Sequence, residues 1–171
     1  MNLHLVDHNQ DVIDAWKTAF SEHPKVDIQL ANMMEVATCC VVSPANSYGF
    51  MDGGIDKMYR DYFGDQLESE IQQLISQRPE GYLPIGTAVT LHTRSSKVPY
   101  IIVAPTMITP EMTEIHNAER AFRAILREAA KHPNQIKDIY CPGLATGVGQ
   151  ADPVQVANRM ASVWSSYIIN E

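Results

Sequence analysis

Apolar runs that suit strands alternate with stretches of helical spacing along nearly the whole chain. Residues 3–6 read as a short strand ending at Asp7, and Val12, Ile13, Trp16 and Phe20 then recur at helical spacing, with Asn9 or Asp11 placed to cap. Residues 26–30 make a second strand. Residues 37–42 form a continuous apolar, β-branched run of the kind found at the centre of a sheet covered on both faces, and Ser43-Pro44 ends it. A loop rich in turn residues spans 45–54, a helix runs from Ile55 towards Phe63, and a second amphipathic helix covers 68–75. Further strands follow at 86–91 and 100–104. Ala118, Ala121, Phe122, Ile125, Leu126 and Ala129 mark one face of a helix. Residues 136–141 read as the last strand, and Asp152 as cap with Pro153 in the first turn opens the final helix.

Strands alternating with helices predict an α/β fold: a mixed, mostly parallel sheet between two helix layers. At 171 residues the chain fits a single domain, 1–171, and 45% hydrophobic with 19% charged residues is ordinary globular composition. The formal net charge of −7 makes free nucleic acid an unfavourable partner, because the long-range field repels a polyanion. A small anionic ligand stays open, since backbone N–H groups hold phosphate without Lys or Arg. Cys39, Cys40 and Cys141 form an odd set with no metal spacing and read as buried thiols of a reducing compartment. No basic leader and no run of about 18 apolar residues is present, so a cytoplasmic protein without a membrane partner is expected.

In open parallel sheets ligands sit beyond the carboxyl ends of the strands, and two glycine-bearing loops follow strands here. The first combines Asn46, Asp52, Gly53, Gly54 and Asp56; its paired glycines admit a ligand to the backbone, and the next helix favours negative charge. A tight turn capping that helix explains the same residues. The second, residues 146–149 (Thr-Gly-Val-Gly), lacks the Gly-Lys-Ser/Thr of a P-loop and carries only part of a dinucleotide fingerprint; alone it reads as a structural turn sooner than as a binding loop. The six histidines show no ligand spacing, so neither a metal nor a cofactor is inferred. Trp16 and Trp164 read as core anchors, and Met33, Met34, Met51, Met58 and Met107 as core and cleft packing.

Taken in order, Ser43-Pro44-Ala45-Asn46, Gly53-Gly54-Ile55-Asp56, Gly86-Thr87-Ala88, residues 101–105 and residues 142–148 resemble the successive motifs of the macro domain family. The resemblance runs from about Asn32 to the final helix, and it implies a three-layer α/β/α fold with a cleft for ADP-ribose. It implies that Asn46 meets the distal ribose and that Asp56 positions or activates water, with Asp52 a second candidate carboxylate. Gly53 and Gly54 would pass the distal ribose and its phosphate, and Gly147, Val148 and Gly149 would wrap the diphosphate. Asn32, Met33, Ser43, Ala45, Ile55, Ala145 and Thr146 complete the implied ligand contacts. The implied partner is ADP-ribose, a close NAD-derived relative or an ADP-ribosylated substrate.

This chain departs from the family pattern at several positions. Asn32 stands where the adenine-reading Asp is usual, Ser43 replaces the first Asn of its motif, and Met51-Asp52 replace two glycines. Gly149 stands where many members carry an aromatic residue; Tyr48 or Phe50 is placed to supply a ring from the other loop. Asp7 is a candidate contact to the adenosine end, though turn or cap duty explains it as well. Three functions remain open: a hydrolase of ADP-ribosyl linkages, a non-catalytic reader of ADP-ribose, and a scaffold or polynucleotide binder using Arg120, Arg123, Arg127 and Lys131. Those cations also suit the solvated face of a helix.

Overall fold

The computed structural model describes residues 1–169. In chain order the elements are β1 (Asn2–Asp7), α1 (Gln10–Ala19), β2 (Asp27–Leu30), α2 (Met33–Val36), β3 (Cys40–Ser43), α3 (Gly54–Phe63) and α4 (Asp65–Ser76). They continue as β4 (Val89–His92), β5 (Tyr100–Val103), α5 (Ile115–Ala130), β6 (Asp138–Cys141) and α6 (Pro153–Ile169). The strands form one six-stranded sheet in the order β2-β1-β6-β3-β5-β4. All neighbours run parallel except the edge pair β4–β5. The carboxyl ends of β2, β1, β6, β3 and β5 therefore share one edge of the sheet.

Each face of the sheet buries its own apolar cluster. Trp16 of α1, Phe122 and Ile125 of α5, and Met160 and Trp164 of α6 pack on one face with Cys40 and Val42. Tyr59 of α3 and Leu67 and Ile71 of α4 pack on the other with Val41 and Ile101. Successive residues of β3 point to opposite layers, which is why that run is apolar throughout. The predicted face of α5 is buried at all of its positions. No helix among the described residues is long and apolar enough to cross a membrane.

The structure differs from the sequence expectation between residues 31 and 43. The apolar run begins as the end of a helix: Asn32 caps the four-residue α2 by accepting a hydrogen bond from Met34 N at 3.0 Å, and Ala37 closes it. Cys39, at φ 58°, then turns the chain into β3, so it is not a strand residue. Ala37 is as buried as any strand residue, and burial alone could not separate the two. The strand expected from Gly86 likewise starts late, because Thr87 donates through both N and Oγ1 to Pro84 O and closes a turn first.

A polar clasp ties three strands together. His4 lies opposite Asp27 in one ladder and opposite Tyr140 in the other, so the three side chains share a face. Its Nδ1 stands 2.9 Å from Asp27 Oδ2 and its Nε2 3.1 Å from Asp138 Oδ1, while the ring stacks on Tyr140 at 4.2 Å. Burial alone would raise both carboxyls. The hydrogen bonds from His4 with Gln29, and from Asn2 with His4, instead hold Asp27 and Asp138 below their ordinary range. Lowered carboxyl pKa values contribute stability above the unfolded value and lose it as pH falls. The change His4→Phe keeps a ring for the stack but strands two facing carboxylates, so we expect a loss of about 1–2 kcal/mol near pH 7. That loss should fade as the pH falls to strongly acid values and both acids take up protons. Urea unfolding near neutrality and in strong acid is the check; an equal loss at both would show that packing, not the carboxylates, sets the cost.

Candidate functional site

A cleft of about 490 Å3 lies along the carboxyl edge of the sheet, and every parallel strand contributes to its wall. Asp7 ends β1 and Asn9 follows it, Asn32 and Met33 follow β2, Thr106 and Met107 follow β5, and the two glycine-bearing loops follow β3 and β6. Open α/β sheets place ligands in this position because strand ends and helix starts converge there.

The loop after β6 has a pronounced polarity. The carbonyls of Ala145, Gly147 and Gly149 accept hydrogen bonds from Ala151 N, Gln150 N and Thr113 N at 2.9, 3.0 and 3.0 Å. The N–H groups of Ala145, Thr146, Gly147, Val148 and Gly149 meet no acceptor among the described residues. Ala145 sits at φ 61°, a left-handed conformation that costs a non-glycine residue about 1 kcal/mol or more and turns neighbouring amides to one side. With three of its five carbonyls used and its five amides free, the loop brings to the cleft a run of donors suited to an anion. Across the cleft, α3 begins at Gly54 without a side-chain cap, and the N–H groups of Gly54, Ile55 and Asp56 also lack acceptors among the described residues.

The loop after β3 is held from three directions. Asn46 knits it internally: Oδ1 accepts from Tyr48 N at 3.1 Å and Phe50 N at 3.2 Å, and Nδ2 donates to Phe50 O at 2.9 Å. Glu68 of α4 accepts from Met51 N at 2.7 Å, and Arg60 holds its other oxygen at 3.2 Å. Ser47 N donates to Met107 O at 2.9 Å, fastening the loop to the segment after β5. Asp56, in the first turn of α3, lines the cleft yet is only 8% exposed. Ser43 Oγ donates to its Oδ1 at 2.6 Å. Burial pushes the Asp56 carboxyl up to about 7, a rise that the Ser43 hydrogen bond partly opposes. A carboxyl near neutrality at the wall of a cleft can exchange a proton with a bound water.

Of the residues singled out in the sequence, Asn32, Met33, Asn46, Asp52, Gly53, Gly54, Ile55, Asp56, Ala145, Thr146, Gly147, Val148 and Gly149 line this one cleft. Ser43 and Ala45 do not: Ser43, the last residue of β3, lies behind the wall under Asp56, and Ala45 is buried beside it. Phe50 reaches the wall and Tyr48 does not; their rings are 6.5 Å apart. Asp7 combines two duties, accepting from Asn9 N at 2.9 Å as a turn residue and from Gly143 N at 3.0 Å as a brace to the β6 loop. Sequence reasoning missed His8, Asn9, Thr106 and Pro110 in the wall, and Thr113, whose hydroxyl donates to Thr106 O at 2.8 Å beside the loop it braces. A loop after the fifth strand of a parallel set was the available signal.

The cations of α5 are engaged locally. Arg120 and Arg127 donate to Ile85 O and Gly86 O, Arg123 pairs with Glu119, and Lys131 with Glu128. Among the described residues no group of three or more His, Cys, Asp or Glu side chains is placed to hold a metal.

The comparisons with known proteins agree with this architecture. A protein of uncharacterized function from Aquifex aeolicus is 33% identical over 135 residues, covering 78% of this chain and 76% of its own. The macrodomain of Mycobacterium tuberculosis DarG superposes with a TM-score of 0.69 at 18% identity, covering 80% of this chain and 87% of that one. DarTG of Thermosipho africanus, solved in complex with ADP-ribose, gives 0.66 at 17% identity over 94% of this chain and 49% of that one. The model of the Macro domain family matches residues 42–160, most of the chain and both loops of the cleft, and the protein therefore belongs to the macro domain family.

Proposed function

We propose that the cleft binds ADP-ribose or a close NAD-derived relative and hydrolyses the bond between the distal ribose and an attached group. The observation that carries this is the row of uncommitted amides from Ala145 to Gly149, three of whose carbonyls, those of Ala145, Gly147 and Gly149, are bonded within the protein. A diphosphate needs many donors, and this loop supplies five amides without a basic side chain in an acidic protein. The structural neighbour that carries ADP-ribose supports the same reading.

With the diphosphate between that loop and the start of α3, the distal ribose falls beside Asp56 and Asn46. Water attacks the anomeric carbon, the bond to the attached group breaks with its electron pair, and Asp56 takes the proton from water. Asp56 is suited to this because its carboxyl sits near neutral pH. Asn46 contributes by shaping the loop: its oxygen is fully used there, and one Nδ2 hydrogen is left for a sugar hydroxyl. That commitment favours a second reading, a reader that holds ADP-ribose without cleaving it.

Calorimetric titration with ADP-ribose tests the binding reading; no association at millimolar ligand ends it. For hydrolysis, release of ADP-ribose from ADP-ribosylated peptide and nucleic acid substrates is compared between the native protein and Asp56→Ala. We expect a loss of roughly 100-fold or more in turnover with binding retained. Turnover unchanged by the substitution removes Asp56 from the chemistry, and binding without turnover on any substrate selects the reader.

A further inference from the structure

The wall of the cleft continues outward from Phe50 as an apolar shelf. Tyr48, Phe50, Tyr82 and Ile108 come from three separate segments of chain, and each is between 37% and 49% exposed. The Tyr48 ring stands 6.5 Å from that of Phe50 and 6.4 Å from that of Tyr82, at 42° and 50°, so the three rings abut without stacking on one another. Main-chain bonds at the buried Ser47 hold the shelf in place: its N–H donates to Ile108 O at 3.0 Å, and its carbonyl accepts from Leu83 N at 2.8 Å. Phe50 is tied through its own N–H and carbonyl to the Asn46 side chain. A contiguous apolar group fixed in solvent beside a cleft marks a surface that a partner covers.

Position and charge together name that partner. With the distal ribose beside Asn46 and Asp56, a group attached to this sugar leaves the cleft past Phe50 and over Tyr48 and Tyr82. Among the described residues no Lys or Arg lines the cleft. Arg60 and Arg78, in neighbouring segments, are held by Glu68 at 3.2 Å and Glu80 at 3.6 Å. Asp52, two residues after Phe50, and Glu111, three after Ile108, are exposed and make no ion pair among the described residues. Tyrosine faces attract a cation, and unpaired carboxylates beside them strengthen that preference. A polynucleotide would also stack its bases on such rings, but it carries its phosphates into the same acidic field.

We propose that Tyr48 and Tyr82 receive an arginine side chain of a peptide that carries the ADP-ribosyl group, so that the substrate class of this cleft is modified protein with arginine beside the modified residue. A guanidinium suits the shelf because it is planar, always charged and weakly hydrated, and it stacks on an aromatic face. The two tyrosines decide which substrate is held and take no part in breaking the bond. The inference rests on the ADP-ribosyl reading of the cleft and adds the chemistry of what is attached.

The test measures, by fluorescence anisotropy, the binding of two peptides mono-ADP-ribosylated on one serine, one flanked by arginines and the other by glutamines, with an ADP-ribosylated single-stranded oligonucleotide and free ADP-ribose alongside. Three proteins are compared: the native chain, Tyr48→Ser/Tyr82→Ser, which removes both rings, and Tyr48→Phe/Tyr82→Phe, which keeps them. Both side chains are exposed and outside the cleft wall, so the fold and the affinity for free ADP-ribose should hold within about twofold in all three. The native protein and the phenylalanine pair are expected to bind the arginine peptide about tenfold more tightly than the glutamine peptide, and the serine pair to bind the two about equally. Equal native binding of the peptides, a preference that survives in the serine pair, or one lost in the phenylalanine pair overturns the inference: the first shows no selection, the second long-range charge, the third the hydroxyls. Tighter native binding of the oligonucleotide than of the arginine peptide overturns it as well, and so does a native dimer that the serine pair dissociates in sedimentation, since the shelf then belongs to bases or to a second copy. Each of these leaves the ADP-ribose reading standing. Free ADP-ribose that fails to bind the native protein ends that reading and this inference with it.

Discussion

Replacing Gly147 by valine should abolish ADP-ribose binding and leave the fold as stable as before. A Cβ at Gly147 meets nothing within 4 Å, and its φ lies outside the left-handed range, so the protein's own structure makes no demand for glycine there. The position lines the cleft within the row of free amides, and a branched side chain would occupy the space that a diphosphate needs. We expect affinity to fall by roughly 100-fold or more, about 2.7 kcal/mol, with thermal unfolding shifted by no more than a degree or two. Gly149 provides the contrast: a Cβ there would stand 2.6 Å from the Ala145 carbonyl oxygen. Gly149→Ala should therefore cost about 1–3 kcal/mol of stability whether or not ligand is present. Unaltered affinity in Gly147→Val would place the diphosphate somewhere other than this loop.

The second large effect concerns pH. Asp56 titrates near 7 in the folded protein against 3.8 for a free aspartate, because burial disfavours its charge. The folded state thus holds a proton that the unfolded chain has released between about pH 4 and 7. Stability must fall as pH rises through that window, by up to ~4 kcal/mol for a shift of this size. Asparagine accepts the Ser43 hydrogen bond without carrying charge. Asp56→Asn should accordingly match the native protein at pH 4 and exceed it in stability by several kcal/mol at pH 8. Urea unfolding of both proteins across this range isolates the group, since all other titrations are shared. Parallel profiles would mean that Asp56 ionises like an exposed acid, and its case as a proton acceptor near neutrality would go with it.

Local preference gives way at two positions of the cleft wall. Asp56 is kept in a site that destabilises the protein above neutral pH, and Ala145 is kept in a left-handed conformation within the loop that bears the free amides. Such departures from local preference concentrate at sites that bind or react.

The fold class was legible because strand burial and helix periodicity are local signals: the β3 run, the α5 face and the Asp152-Pro153 start of α6 each carry their own reason in neighbouring residues. The two loops were legible for the same reason, through glycines beside Asn46 and Asp56. Residues 33–39 were not, since a short capped helix and a buried strand share one apolar pattern. The duties of the polar side chains were also hidden. Asn32 and Asn46 are expected from the sequence to meet a ligand, and the structure engages their side-chain oxygens with main-chain amides a few residues away. Ser43 was expected in the wall and stands behind it, setting the environment of Asp56.

By itself, then, the order of residues determined which segments become strands and helices, that the sheet is mainly parallel, and which loops follow its strands. Only the tertiary structure decided that all those loops meet in one cleft, that His4 joins Asp27 to Asp138, and which donors stay free along residues 145–149. The physical reason is range. Periodicity and capping act over a turn or two of chain, whereas burial of a carboxyl and satisfaction of an amide depend on residues brought together from far along the sequence.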